Sequence, residues 1–353
     1  MKTQRILTSI VLAGALLLTA APRAVAGPQG EVDRAMAAVS RAIAEAARSM
    51  DRHAHTFAAD AQSGKVTEKF AKTVPLAKGG MLDLSNISGN ITITVGAGDQ
   101  VVIDATKRGR TAEELKEVTI DVTPSPNRVE VRTRYPENKR NISVSVEYHV
   151  TIPRGAGATI KSISSDVTAT GVDGELSANS ISGDVHVTGA ANLRAAKTVS
   201  GDVTLDNATS TGACAVKTIS GDLTVRGLKA REVQIDTISG DVKLDNVVTD
   251  RVTSKSISGN VQFAAPLAKG GRYEMTSHSG DITIQTGDKV GFELTASSFS
   301  GSINTDLAVT TKGDAANEAG RGPRRHSVQG TFGDGSAVLQ LSTFSGDIKI
   351  VKK

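Results

Sequence analysis

Thr218-Ile219-Ser220-Gly221-Asp222-Leu223-Thr224-Val225 is followed, with its glycine 19 residues further on, by Thr237-Ile238-Ser239-Gly240-Asp241-Val242-Lys243-Leu244. The unit is a hydroxyl residue, an apolar residue, Ser, Gly and Asp, then a short alternating run. It recurs at Ser182-Gly183-Asp184, Ser200-Gly201-Asp202, Ser258-Gly259-Asn260, Ser279-Gly280-Asp281, Ser300-Gly301-Ser302 and Ser345-Gly346-Asp347. Ser162-Ile163-Ser164-Ser165-Asp166 lacks the glycine, and Ile87-Ser88-Gly89-Asn90 is an earlier, outlying copy. From position 165 to 301 the glycine position advances by 18, 18, 20, 19, 19, 21 and 21 residues. Such a fixed period marks a repeat architecture and outranks local propensity in assigning the fold.

A second alternating run, such as Val233-Gln234-Ile235, precedes the motif. Each repeat therefore holds two or more short strands and no helix long enough to act as a crossover. Hairpins do not need identical turns at a fixed period; stacked coils of a parallel solenoid do. The expected fold is all-β, a parallel β-solenoid (β-helix) of about 8–10 coils and roughly 40 Å in length. Apolar residues flanking the turn are expected to point inward, Gly to supply a bend with positive φ, and Ser and Asp to bond backbone groups at the corner.

Around this core the chain of 353 residues divides readily. Residues 1–26 read as a signal peptide: Lys2 and Arg5, the apolar run Ile6 to Ala21, then Ala24-Val25-Ala26. Its removal leaves 38 basic against 37 acidic residues, so the charge gives no argument for nucleic acid. No other run approaches the length of a transmembrane helix. An exported protein, periplasmic, extracellular or at the cell surface, is expected.

Residues 27–60 read as an amphipathic helix and linker. Val32, Met36, Val39, Ile43, Ala46 and Met50 recur at helical spacing, and residues 31–57 could cap the domain, self-associate or lie on a membrane. Residues 61–153 form a β-rich N-terminal part with one short helix near Thr111-Ala112-Glu113-Glu114, and residues 154–353 hold the solenoid repeats. Residues 311–330 look like a polar loop. Solenoid ends expose strand edges. The N-terminal part is expected to cover one end, and Lys349, Lys352 and Lys353 to protect the other. The 45 residues from Gly301 to Gly346 are either two coils or one coil with an insertion.

The most tempting chemical feature is the ladder of Asp184, Asp202, Asp222 and Asp241. Turn capping is its simplest role, and a cation bridging stacked carboxylates is the alternative. Replacement by Asn260 and Ser302 fits capping better. Cys214, the single cysteine, reads as a small buried hydrophobe. His53 and His55 do not share a helix face, and His278 reads as a tolerated corner residue. Arg321, Arg324 and Arg325 form a possible binding loop for an anionic polymer. Trp is absent, and no nucleophile elbow, phosphate loop or zinc-protease motif appears. No catalytic residue, cofactor or metal site is assigned.

The serial Ser-Gly-Asp-Val/Ile copies, the lead-in Val146-Glu147-Tyr148-His149-Val150-Thr151-Ile152-Pro153 and the ending Thr343-Phe344-Ser345-Gly346-Asp347-Ile348 resemble the bacterial "putative adhesin" family of β-strand-repeat domains of unknown function. The resemblance spans about Val66 to Lys353. It implies a β-solenoid in the cell envelope and supplies no catalytic residues. The expected function is a non-catalytic adhesion, binding or scaffold module for an unidentified envelope or surface polymer or protein. A carbohydrate-active β-helix enzyme and a cation-stabilised structural module are the alternatives.

Overall fold

A computed structural model describes residues 66–136, 142–287, 289–311 and 326–352. The expected signal peptide, the helix over 31–57, His53, His55, Arg321, Arg324 and Arg325 lie outside them. The described residues form two long sheets, of 13 and 14 strands, dominated by parallel pairs around one apolar core. The fold is the expected β-solenoid.

One coil contributes one strand to each sheet. Lys229–Asp236 lies in the larger sheet, the chain turns at Ser239-Gly240-Asp241, and Val242–Asp245 lies in the smaller. Equivalent strands pair in parallel without slippage at the corner, as Val203↔Leu223↔Val242↔Val261. These side chains are at most 1% exposed and share one buried core with Val216, Val233 and Ile235 of the other sheet. Each fully buried Val, Leu or Ile contributes about 1.5–3 kcal/mol, but only when a neighbouring coil closes over it.

Two columns of corners join the sheets. At the first, Gly183, Gly201, Gly221, Gly240, Gly259 and Gly280 have φ between 137° and 152°. A Cβ on Gly221 would stand 2.0 Å from the carbonyl oxygen of Gly201, so both the dihedral and the close stacking demand glycine. At the second corner Gly171, Gly189, Asn207, Gly227 and Asn246 have φ between 52° and 69°. This second column has its own sequence signal, a Gly or Asn closing each alternating run.

The ends depart from the repeat. At the N-terminal end Val66–Pro75 and Gln100–Gly109 pair antiparallel with each other, and Gln100–Gly109 with Ser145–Pro153. The short helix Ala112–Glu117 is capped by Thr111 and buries Leu115 beside these strands. These strands extend the smaller sheet past the first corner, Gly89-Asn90, and Arg128–Arg134 with Thr119–Ser125 extend the larger one.

The C-terminal end is built differently from the expectation. Ala337–Ser345 lies between Arg272–Ser279 and Phe292–Ser300, and Ile348–Lys352 between Ile282–Thr286 and Ile303–Thr305. The chain's last coil is thus inserted beneath the preceding one. Lys349 and Lys352 are not guards of an open edge, because their strand is paired on both sides. Ile303–Thr305 forms that sheet's edge. Part of the expected 311–330 loop is also strand: His326–Phe332 runs antiparallel to Phe292–Ser300 and covers its outer side.

Gly221→Ala is expected to lower stability by about 2–4 kcal/mol in urea unfolding, from strain and overpacking together. Gly171→Ala, also at positive φ but with nothing within 4 Å of its Cβ, is expected to cost only about 1–2 kcal/mol. Equal costs would contradict the close corner stacking.

Candidate functional site

The repeated aspartates form a continuous backbone-capping ladder. The Asp184 N–H donates to Asp166 Oδ1 at 3.0 Å, and those of Asp202, Asp222 and Asp241 donate to the Oδ1 one coil earlier at 2.8 Å. The series continues through Asn260 on Asp241, Asp281 on Asn260, Asp347 on Asp281 and Ser302 on Asp347, all at 2.8–2.9 Å. Each acceptor satisfies a main-chain donor that the bend removes from the sheet ladder. Only one side-chain oxygen is needed, so Asn260 serves as well as Asp. Ser302 stands on the outermost rung, with no later coil to receive, so it needs no acceptor.

Beside it runs an inner hydroxyl column. Thr198 Oγ1 donates to Gly183 O at 2.9 Å, Thr218 to Gly201 O at 3.1 Å, Ser277 to Gly259 O at 3.2 Å and Thr343 to Gly280 O at 3.2 Å. At Thr237 and Ser256 the hydroxyl is buried without a hydrogen bond. The serine directly before the glycine works through its main chain instead. Gly183 N–H donates to Ser200 O and Ser200 N–H to Ile181 O, while the side chains of Ser182, Ser200, Ser220, Ser239, Ser258, Ser279, Ser300 and Ser345 stand exposed.

With the hydroxyl residue inside, strand alternation turns the apolar residue of the motif outward, contrary to the expectation that it packs in the core. Ile163, Ile181, Val199, Ile219, Ile238 and Ile257 form a half-buried aliphatic stripe along the larger sheet. The stripe continues into stacked rings: His278 on Phe344 at 4.9 Å and Phe344 on Phe299 at 4.7 Å. Phe299 and Phe344 are 36% and 37% exposed.

Two residues before each stripe position lies a second column, Lys161, Asn179, Lys197, Lys217, Asp236 and Lys255, exposed or half-buried except at Lys217 and Asp236, which are buried. Lys217 Nζ and Asp236 Oδ2 form an ion pair at 2.6 Å, with side chains 9% and 1% exposed. Gln234 Nε2 also donates to Asp236 Oδ2. Burial, then the neighbouring Lys217, hold the Lys197 ammonium below its ordinary pKa, against the attraction of Asp236. Its signal in the sequence is position alone, since each member immediately precedes a motif.

The smaller sheet presents a different outward column: Thr168, His186, Thr204, Thr224, Lys243 and Gln262, continued by Thr283, Lys349 and Asn304. Its members are hydrogen-bonding or charged throughout, at the interstrand repeat of about 4.8 Å. Cys214 is buried, and desolvation raises its thiol to about 12, which removes thiolate chemistry at neutral pH. Among the described residues no group of three or more His, Cys, Asp or Glu is arranged to hold a metal ion, and no helix is long and apolar enough to cross a membrane.

The fold and corners define a class: a two-faced parallel β-solenoid locked by a serine-glycine-aspartate column. Residues 80–351 match the family model Toastrack DUF4097, and the chain belongs to that family. Among curated proteins none matches. Solved structures that are similar include a "putative adhesin" from Bacteroides fragilis, at 13% identity and TM-score 0.41, covering 81% of this chain and 97% of that one. A "putative lipid binding protein" from Parabacteroides distasonis is similar at 8% identity and TM-score 0.46, covering 85% and 100%. A "putative adhesin" from the same species is similar at 10% identity and TM-score 0.40, covering 85% and 100%.

Asp222→Ala is expected to cost about 1–3 kcal/mol, because it strands the Asp241 N–H, whereas Asp222→Asn is expected to stay within about 0.5 kcal/mol. Chemical denaturation with and without EDTA checks both the ranking and the role. A midpoint lowered by chelator would favour a bound cation over capping.

The Asp347 carboxyl is held below the usual range by the Ser302 N–H, then by the Ser302 hydroxyl, with Lys349 adding attraction. A depressed folded pKa stabilises the fold above the ordinary aspartate range and loses that effect as pH falls through the folded value. Side-chain carboxyl NMR shifts are expected to show Asp347 titrating below ordinary aspartates, and Ser302→Ala to move its midpoint upward.

Proposed function

We propose that the protein is an exported, non-catalytic module of the cell envelope, whose smaller sheet binds or aligns a repetitive surface polymer or protein. The observation that supports this reading is the column from Thr168 to Asn304. It presents hydroxyl, imidazole, amide and ammonium groups in a straight row on a paired, rigid sheet. Contacts of this kind are individually weak and add through multivalency rather than through a single pocket. The ladder carboxylates support a structural rather than a hydrolytic use, since each inner Oδ1 is committed to a main-chain N–H.

Envelope fractions and purified surface polysaccharides, presented to the mature protein on beads, test the proposal. Capture of a defined polymer is expected, with at least about a tenfold loss in Thr204→Val/Thr224→Val, which keeps strand shape but removes two hydroxyls. Release of reducing ends from the polymer would instead establish an enzyme. Undiminished capture by the valine variant would move the binding surface elsewhere.

A further inference from the structure

We propose that residues 31–57 dock as an amphipathic helix along the outward aliphatic stripe of the larger sheet, so that the chain covers its own apolar face. The stripe runs from Ile163 to Phe299 over eight interstrand steps, about 38 Å, and ends in the exposed Phe344 and Phe299 rings. An apolar column of this length on an otherwise polar surface calls for a cover.

The place where the described chain starts identifies the cover. Glu68 pairs with Lys107, Lys107 with Val146, and the backbone of Val146 lies against Gly89. Val66 therefore enters on the corner side at the foot of the stripe, four strands below the first rung, or about 19 Å. Residues 58–65 can reach at most about 29 Å, enough to climb to that rung. Beyond them, residues 31–57 as a helix would measure about 40 Å, the length of the stripe.

The chemistry of the two surfaces agrees. Val32, Met36, Val39, Ile43, Ala46 and Met50 supply one apolar face of matching narrowness, with Phe57 on the same side. Met36 would fall near the Phe344 end, where thioether-aromatic contact is favourable. Asp33 and Asp51, 18 residues or five helical turns apart, lie on one flank of that face, while Arg34, Arg41, Arg48 and Arg52 fall opposite it. On the solenoid the stripe is flanked by Lys161 and Lys197 at the end that Asp51 would reach, an opposite charge for that acid.

The mature full-length protein tests the docking by trypsin susceptibility and by cross-linking. Cleavage after Arg34, Arg41, Arg48 and Arg52 is expected to be at least about tenfold slower than in Val39→Lys/Ile43→Lys, which cannot disturb the solenoid core. In a Cys214→Ala background, Ile43→Cys with Ile238→Cys is expected to form an intrachain disulfide, and Ile43→Cys with Thr204→Cys, on the other sheet, none. Equal cleavage rates would overturn the proposal. So would disulfides that form between chains, which would assign the stripe to a second copy. Transfer of the intact protein onto phosphatidylglycerol vesicles through residues 31–57, with the stripe left accessible, would assign the segment to a membrane and equally overturn it.

Discussion

The structure depends on one contact repeated along an axis: a side-chain carbonyl oxygen at each corner accepts the main-chain N–H of the same position one coil later. A flattened solenoid must bend sharply where its sheets meet, and the bend takes backbone groups out of the ladder. Positive φ at glycine makes the bend, and absence of a Cβ lets the next carbonyl approach. The aspartate then supplies an acceptor that the bent backbone cannot. Without it each corner would lose one charge-assisted hydrogen bond to a main-chain donor, repeated at every coil.

Once the corners are fixed, strand alternation settles everything else. Residues immediately after the aspartate point inward and fill the core. The hydroxyl residue of the motif also points inward, onto the glycine carbonyl of its neighbour. The residues that alternate with those inward positions turn to the outer faces, which creates the polar column on one sheet and the aliphatic and lysine columns on the other. The two faces are therefore chemically distinct, and the surface chemistry is a by-product of corner geometry.

The period and the corner were legible in the sequence because parallel stacking demands the same residue types at the same place in every coil. Which donor the aspartate serves was not legible, since an oxygen near a bend can bond locally or across coils with the same residue type. The outward turn of Ile181 and Ile219 was hidden for a similar reason: Thr-Ile-Ser alternates equally well in either phase, and only the need to satisfy the glycine carbonyl decides it. The lysine column stands immediately before each motif, but Asn179 and Asp236 interrupt it, so no single residue type marks it in the sequence. Insertion of Ile348–Lys352 beneath Ile303–Thr305 could not be read from the repeats, because equivalent coils pair equally well in either order. Its only trace was the long interval between Gly301 and Gly346.

The most direct test of the corner column is a through-hydrogen-bond NMR correlation between the Asp241 amide nitrogen and the Asp222 side-chain carboxyl carbon, the partners placed at 2.8 Å. The coupling is expected to be present, and to vanish in Asp222→Ala while the main-chain amide at position 222 keeps its own coupling to the Asp202 carboxyl. A missing correlation together with rapid solvent exchange of the Asp241 amide would contradict the account at its foundation.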